Sequence, residues 1–362
     1  MAEQYPEYVE KIVELQVAKG QEPERLDVYI TNAIANATRN KVQNAIDQGD
    51  VTVNDCVKKG SYKIKPGDVI VCKFMRPPPL ELLPQDIPLH ILYEDEDVMV
   101  INKPSGLVVH PGFGNRYGTL VNAVLWHMGY REAIPLLVNE DDELDSFQEE
   151  KLIQDTMLHS SLIRPGIVHR LDKDTSGIMV ISKSQEMTPL LTKQFADRTV
   201  EREYCALTWG LVKQDHAIIE TMLAPSPRNR KVFAVSTKEG KLAKTEYWTL
   251  CRSEFASLVR IKLHTGRTHQ IRVHFSHIHH PLIGDTSYGG DKIAYSGLKS
   301  TLVKSKATKC LEIMPHQALH ARSLGFTHPR TGMKLKFSAP PEDIFLKTAH
   351  LAGITLPDDF LN

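Results

Sequence analysis

The densest group of chemically active side chains is Arg164-Pro-Gly-Ile-Val-His-Arg-Leu-Asp-Lys-Asp-Thr-Ser-Gly177, which runs straight into the apolar stretch 178–182. Polar groups packed against an apolar strand suggest a loop held at a sheet edge, where preorganised sites are usually built. Asp172 and Asp174 lie two apart, and Thr175, Ser176 and the glycine amide could hydrogen-bond a carboxylate. The same D-x-D-T-S-G pattern is also good Asx/ST turn chemistry, and local pattern alone leaves the two readings equal.

A second cluster is Thr265-Gly-Arg-Thr-His-Gln-Ile-Arg-Val-His274. With His277, His279 and His280 it places five histidines within twelve positions. Imidazole is a common metal ligand. The cluster nevertheless lacks an H-E-x-x-H spacing and has no carboxylate before Asp285, so bonds to backbone or phosphate are the better reading and no metal is expected. Arg267 and Arg272 carry more weight, because a guanidinium keeps a nearby carboxylate ionised and grips phosphate bidentately. A third stretch, 198–210, contains Tyr204 at the head of an apolar strand. Its ring could be core, or a platform on which a nucleobase stacks, at about 1–3 kcal/mol per base. Arg228, Arg230, Lys231, Lys238, Lys241 and Lys244 form a basic stretch around a predicted hairpin.

Short apolar or alternating runs at 97–102, 177–182, 204–208, 256–263 and 334–338 read as strands, and 185–197 behind Ser184 as a helix. Without a regular strand-helix beat, the pattern favours a largely antiparallel α+β domain over a doubly wound one. Upstream, Leu26, Val28, Ile30, Ala33 and Ile34 predict one helix. A second follows Thr38 as N-cap and ends at Gln48 before a left-handed Gly49. Strands at 51–53 and 68–74 come next, joined through a Lys-Pro-Gly-Asp turn. Residues 25–75 hold eight Lys/Arg against five Asp, a balance of +3. Prolines 77, 78, 79, 84 and 88 mark a stiff boundary. The expected organisation is an N-terminal segment 1–24, a small α/β module 25–75, a linker 76–87, a large domain 88–345 and a tail 346–362.

The whole chain of 362 residues balances 44 Lys+Arg against 44 Asp+Glu. That excludes a uniformly basic coat but not a local basic groove. Residues 139–150 carry seven acids and no base, which suggests a solvated surface loop. Five dispersed cysteines form no Cys-x-x-Cys pair, so neither a disulfide framework nor a cysteine zinc site is indicated. The N-terminus lacks the basic-then-apolar order of a signal peptide, and no apolar stretch approaches the ~20 residues of a membrane-spanning helix. The expectation is a reduced, soluble, cytoplasmic protein.

His169-Arg-Leu-Asp-Lys-Asp-Thr-Ser-Gly177 resembles the signature of RluA/RluD-type RNA pseudouridine synthases. So do Arg202-x-Tyr204-x-Ala206-x-x-x-Gly210, where the family usually has Lys first, and Gly266-Arg-Thr-His-Gln-Ile-Arg-Val-His274. Asn102-Lys-Pro-Ser-Gly-Leu-Val-Val-His-Pro-Gly112 and His328-Pro-Arg-Thr-Gly332 also fit. The likeness spans roughly residues 88–345. Residues 25–75 resemble the small RNA-binding domain named after a small-subunit ribosomal protein. The acidic stretch 139–150 looks like an insertion.

The resemblance implies an antiparallel central sheet with flanking helices and an RNA-binding cleft. It implies Asp172 as the catalytic aspartate, Tyr204 against the uracil, Arg272 paired with the aspartate, and Arg170 filling the space of a displaced nucleotide. His169 and Arg267 are further candidates for contacting RNA, as are Arg25, Arg39 and Lys41 in the basic module. No cofactor is implied. A retaining glycosidase would need a second carboxyl group, a role for which Asp174 is poorly placed in a tight turn. The stretch His110-Pro-Gly-Phe-Gly-Asn-Arg-Tyr-Gly-Thr-Leu-Val-Asn-Ala123 looks RluD-like. With the basic module it points to large-subunit (23S) ribosomal RNA or its precursor particle as partner, bound by a monomer. Transfer RNA is the alternative substrate, and a non-catalytic RNA-binding assembly factor the alternative function.

Overall fold

The computed structural model describes residues 9–34, 37–76, 81–111, 115–135, 166–227, 229, 232–297 and 300–360. The chain divides into two compact units, Met1–Glu81 with Pro135–Asp145, and Leu82–Ile134 with Ser146–Asn362. The acidic stretch 139–150, the prolines at 77–79, and Arg228, Arg230 and Lys231 lie outside the described residues.

In the first unit, helices Leu26–Ala33 and Arg39–Gln48 accompany a four-stranded antiparallel sheet in the order Val9–Gln16, Val69–Arg76, Val51–Val53, Cys56–Val57. The second helix is capped as expected: the Thr38 side chain accepts from the Lys41 amide, and Gly49 ends the helix at φ 84°. Leu26, Ile30, Val42, Ile46, Val51, Val53, Ile64 and Ile70 form the core. The segment 1–24 is more than a leader to this module, because Val9–Gln16 pairs along its full length with Val69–Arg76. Val13 and Leu15 pack on the core while Glu10, Glu14 and Gln16 are exposed. This period-two pattern is diluted by charge and easily overlooked.

The second unit is α+β and mainly antiparallel. Its eleven-stranded sheet runs Phe233–Ser236, His216–Pro225, Lys241–Arg252, Ala256–Leu263, Glu201–Trp209, Leu319–Thr327, Ser176–Ser182, Val98–Lys103, Ile91–Glu94. Lys334–Ser338 and Gly166–Ile167 pair beside this path. The one parallel contact on it, Ser176–Ser182 with Leu319–Thr327, covers two residue pairs. Alternate residues serve opposite faces: Met99, Ile101, Met179 and Ile181 join one core, Val98, Val100, Ile178 and Val180 another. Burial on both faces explains why 177–182 reads as continuous apolar sequence.

Three boundaries differ from the sequence reading. The helix expected at 185–197 spans Met187–Ala196. It is started by the Ser184 carbonyl, which accepts from Met187 and Thr188, and the Ser184 side chain does not cap it. Residues 82–87 do not hang free. Leu82 is buried, Gln85 takes the Gly118 amide on its side chain, and the Asn122 side chain donates to Leu83. Nor is 346–362 a tail. Helix Asp343–Leu351 and the turn Asp358–Phe360 place Phe345, Ala349, Ile354 and Phe360 in a core with Cys205, Leu207 and Leu258. Among the described residues no helix is long and apolar enough to cross a membrane.

Candidate active site

Asp172 sits in the loop between strands Gly166–Ile167 and Ser176–Ser182, which is fastened from several sides. The Thr175 amide donates to the Asp172 carbonyl at 3.0 Å, closing the turn. The tight turn is therefore real, but the backbone closes it rather than an Asx or ST side chain, and the hydroxyls do not cap the carboxylate as the sequence suggested. Thr175 Oγ1 accepts from Gln317 at 3.2 Å, and Ser176 Oγ meets His320 Nδ1 at 2.9 Å. His320 Nε2 faces the Ala339 carbonyl at 3.1 Å, so Nε2 carries its proton and Nδ1 accepts from the serine. Gly177 has φ 121°, and a Cβ there would lie 2.2 Å from the Ala321 carbonyl oxygen. Only glycine lets the loop enter the sheet at this point.

Lys103 is a fastening that sequence reasoning missed, although it lies in the motif 102–112. Its side chain is wholly buried, and Nζ donates to the carbonyls of Pro104, Leu107 and Lys173 at 2.8, 2.9 and 2.8 Å. One ammonium thus ties the 104–107 turn to the residue after Asp172. A lysine following an asparagine and preceding a proline in a strand end was the available signal.

Arg272, on helix Gln270–His277, reaches Asp172 Oδ2 through Nη1 at 3.1 Å. Its other edge is taken by Asp285, to which Nε and Nη2 donate at 2.7 and 2.8 Å. Asp285 is fully buried and also accepts the amides of Ser287 and Tyr288. The guanidinium lies 4.9 Å from the Tyr288 ring centre. Asp285 therefore fixes the plane in which Arg272 meets the catalytic loop, a duty invisible in its position thirteen residues downstream. His269, left-handed at φ 56° ahead of the helix, puts Nε2 3.8 Å from Asp172 and Nδ1 2.8 Å from the Tyr288 hydroxyl.

Burial alone would raise the Asp172 pKa, but His269, Arg272 and Arg170 oppose it, and the carboxyl ends below its ordinary range. Burial also lowers the His269 pKa. The Asp172 charge pulls the other way on that imidazole, whereas the guanidiniums stay charged throughout. Burial and the Asp172 charge, set against Arg202, raise the Tyr204 phenol. Tyr204 follows an irregularity in the pairing of Glu201–Trp209 with Leu319–Thr327, a device that re-aims side chains beside active sites.

These groups line one cavity of about 390 Å³. Asp172, Tyr204, Arg272, Arg170, Arg267 and His169 are all on its wall, as are Arg198 and Arg202. Among the described residues, five arginines and one carboxylate line it, which suits a polyanion. Arg170 is exposed, and Arg267 is held by its Nε to the Leu242 carbonyl at 3.1 Å. His169 also has a structural duty on that wall: its Nε2 accepts the Val180 amide at 3.1 Å and its ring stacks on Phe195 at 4.4 Å, so it braces the loop. Asp174 is not on the wall, and among the described residues that line the cavity there is no second carboxyl group of the kind a retaining glycosidase uses.

The histidine cluster is dispersed in duty. His274 bonds the hydroxyls of Thr221 and Thr245, and His280 the Trp209 carbonyl. His280 thus makes the backbone contact read from sequence, while His274 bonds hydroxyls instead. Among the described residues, Asp95, Asp97 and His328 bring possible metal-ligating atoms within 4.8 Å of one another. Arg330 already holds both Asp97 oxygens at 2.6 Å, and His328 bonds Asp95 at 3.0 Å, so a cation's place is filled. In the other unit, Arg25 and Arg39 both converge on buried Asp27, while Lys41 is exposed nearby in sequence.

A family model described as RNA pseudouridylate synthase matches residues 97–277, and one described as S4 domain matches residues 24–70. The chain is 46% identical, over 92% of its length and 95% of the relative's, to an uncharacterized RNA pseudouridine synthase of Chlorobaculum parvum. It is 38% identical to a protein of Zymomonas mobilis named ribosomal large subunit pseudouridine synthase D, covering 89% of this chain and 92% of that one. The solved structure of human RNA Pseudouridylate Synthase Domain Containing 4 shares the fold. Its TM-score is 0.53 at 22% identity, over 74% of this chain and 95% of that chain.

Proposed function

Because the chain belongs to the RNA pseudouridylate synthase family, isomerases that convert uridine to pseudouridine in RNA, we propose that Asp172 is its catalytic carboxylate and that its uridines lie in large-subunit ribosomal RNA. The observation that carries the first part is the Asp172 carboxyl group facing Arg272 at 3.1 Å on the wall of an arginine-lined cavity. A uridine must leave its stack to reach such a wall, at a cost of a few kcal/mol. Exposed Arg170, two residues before the carboxylate, offsets that loss by entering the vacated space. Asp172 either attacks C1′ of the ribose or removes the C2′ proton, and the bond from N1 to C1′ breaks. The uracil stays against the Tyr204 ring, rotates, and forms the bond from C5 to C1′ as the Asp172 oxygen leaves C1′, or as Asp172 returns the proton to C2′. C5 then gives up its proton while N1 gains one, so isomerisation consumes no water.

Arg267 at the cavity and Arg25, Arg39 and Lys41 in the N-terminal unit serve as phosphate contacts. The second part of the proposal rests on relatives named for the large ribosomal subunit, such as those of Zymomonas mobilis and Pseudomonas aeruginosa, and on the basic N-terminal unit. In this reading the enzyme acts as a monomer in the cytoplasm, on the RNA or its precursor particle.

The test is Asp172→Asn, nearly isosteric and unable to act as an anion. With large-subunit RNA labelled as [5-³H]uridine, the variant should bind normally and release no tritium. Normal release overturns the assignment of Asp172. Binding without release by the unaltered protein would favour an assembly factor. Release from transfer RNA but not ribosomal RNA would move the substrate.

A further inference from the structure

Among the described residues of the basic unit, Asp27 is the one acid with no exposed surface; its side chain is 0% accessible. Charge counting treats it as subtracting from the affinity of its unit for polyanions. Its contacts describe something else. Arg25 donates to Oδ1 through Nε and to Oδ2 through Nη2, both at 2.9 Å. Arg39, twelve residues later on the second helix, brings Nη2 to 3.2 Å and Nε to 3.4 Å from the same Oδ2. Gln43 adds a donor at 3.3 Å. Two guanidiniums from separate elements thus meet on one oxygen, which screens their mutual repulsion.

Both arginines use the same edge of the fork, Nε with Nη2, and keep side-chain exposures of 45% and 57%. No other hydrogen bond engages either guanidinium among the described residues, which leaves the Nη1/Nη2 edge of each for a bidentate acceptor such as phosphate. The bridge between Arg25 and exposed Lys63 adds another cation beside the pair. A surface arginine normally gives up rotamer freedom when it docks. Here the buried carboxylate has already fixed both.

We infer that Asp27 is a positioning residue for RNA binding, its carboxylate aiming Arg25 and Arg39 at neighbouring backbone phosphates. The inference rests on the phosphate-contact role given to those arginines above. It makes an uncommon prediction: removing this negative charge weakens binding to a polyanion.

The test compares the full-length protein with Asp27→Asn and with Arg25→Gln/Arg39→Gln, using a fluorescein-labelled RNA hairpin transcribed from large-subunit RNA over a series of KCl concentrations. Asp27→Asn should weaken binding about tenfold at low salt, with the logarithmic salt slope shallower by about 0.7–0.9 for each phosphate no longer neutralised. The double arginine variant should show the same weakening, and adding Asp27→Asn to it should change little. A merely structural role would lower the melting temperature without changing the slope of the folded protein. Should Asp27→Asn bind as tightly as the unaltered protein or more tightly, with the same slope, the inference is wrong. Should it unfold, the decision passes to Asp27→Glu. That variant restores the charge but displaces the carboxylate, and unaltered affinity and slope there overturn the proposal equally. If the double arginine variant itself binds normally, the phosphate-contact reading fails instead, and tritium release by the unaltered protein still stands apart from it.

Discussion

The state of Asp172 depends on Arg272, and the dependence can be measured as a pH profile. At 3.1 Å, two unit charges interact by about 5 kcal/mol at an effective dielectric of about 20, enough to favour the anion strongly against burial. With Arg272 in place, the carboxyl lies below its usual range, so activity that requires the anion is present above that value and lost only in strong acid. Replacing Arg272 alone would strand buried Asp285, so the informative change is Arg272→Gln with Asp285→Asn, which removes the buried pair together. Burial still opposes the charge on Asp172. The acid limb of single-turnover tritium release should therefore move up. The variant should lose rate on mild acidification, while the unaltered enzyme stays flat over the same span. The same profile in a His269→Gln background removes the imidazole as a substitute cation. An acid limb that stays below pH 5 in both backgrounds would refute the claim that this guanidinium keeps the carboxylate ionised.

Two further outcomes follow from burial. His274 and His320 are pushed by burial to about 4 from an ordinary value near 6.5, so between those values the unfolded chain binds protons that the folded chain does not. Their contribution is complete above about pH 6.5 and is lost as pH falls toward 4; thermal melts should drop through that window, less steeply in a His274→Gln/His320→Gln variant because His110 and His169, pushed by burial to about 3, still titrate there, and a midpoint constant from pH 6.5 to 4.5 contradicts this. Gly177→Ala places a methyl group against the Ala321 backbone at an unfavourable φ, which should cost on the order of 3 kcal/mol or more in denaturant melts, and a cost below about 1 kcal/mol would show that the strand entry can relax.

How far the residues disclosed this arrangement depended on what each one touches. Strands at 97–102, 177–182 and 256–263 were legible because burial on one or both faces leaves period-two or continuous apolar sequence. The helix 39–48 was legible because Thr38 and Gly49 act locally. Asp172, Tyr204 and Arg272 were placed by motif, and the structure brings all three to one cavity wall. Val9–Gln16 was hidden because its exposed face is charged, and 346–362 because short helices docked on a distant strand leave little periodicity of their own. Asp285 and Lys103 escaped for a different reason. Each acts on a partner far away in sequence, Asp285 through Arg272 and Lys103 through the Lys173 carbonyl, and no spacing rule reports a contact that only the finished sheet creates.

That difference bears on how charge should be read in this protein. A formal balance of zero suggests that acids cancel bases, yet two of its buried carboxylates do not oppose the arginines they touch. Asp285 occupies the Nε/Nη2 edge of Arg272 and leaves Nη1 for Asp172. Asp27 occupies the Nε/Nη2 edges of Arg25 and Arg39 and leaves their outer edges exposed. In both places a desolvated acid sacrifices part of the local positive potential and in return fixes the direction of a guanidinium. For a planar donor that recognises phosphate or carboxylate through fixed geometry, direction decides affinity more than net charge does. Substitutions that make this chain more basic by removing those two acids should therefore make it a poorer partner for RNA and a poorer catalyst, the reverse of what its charge balance predicts.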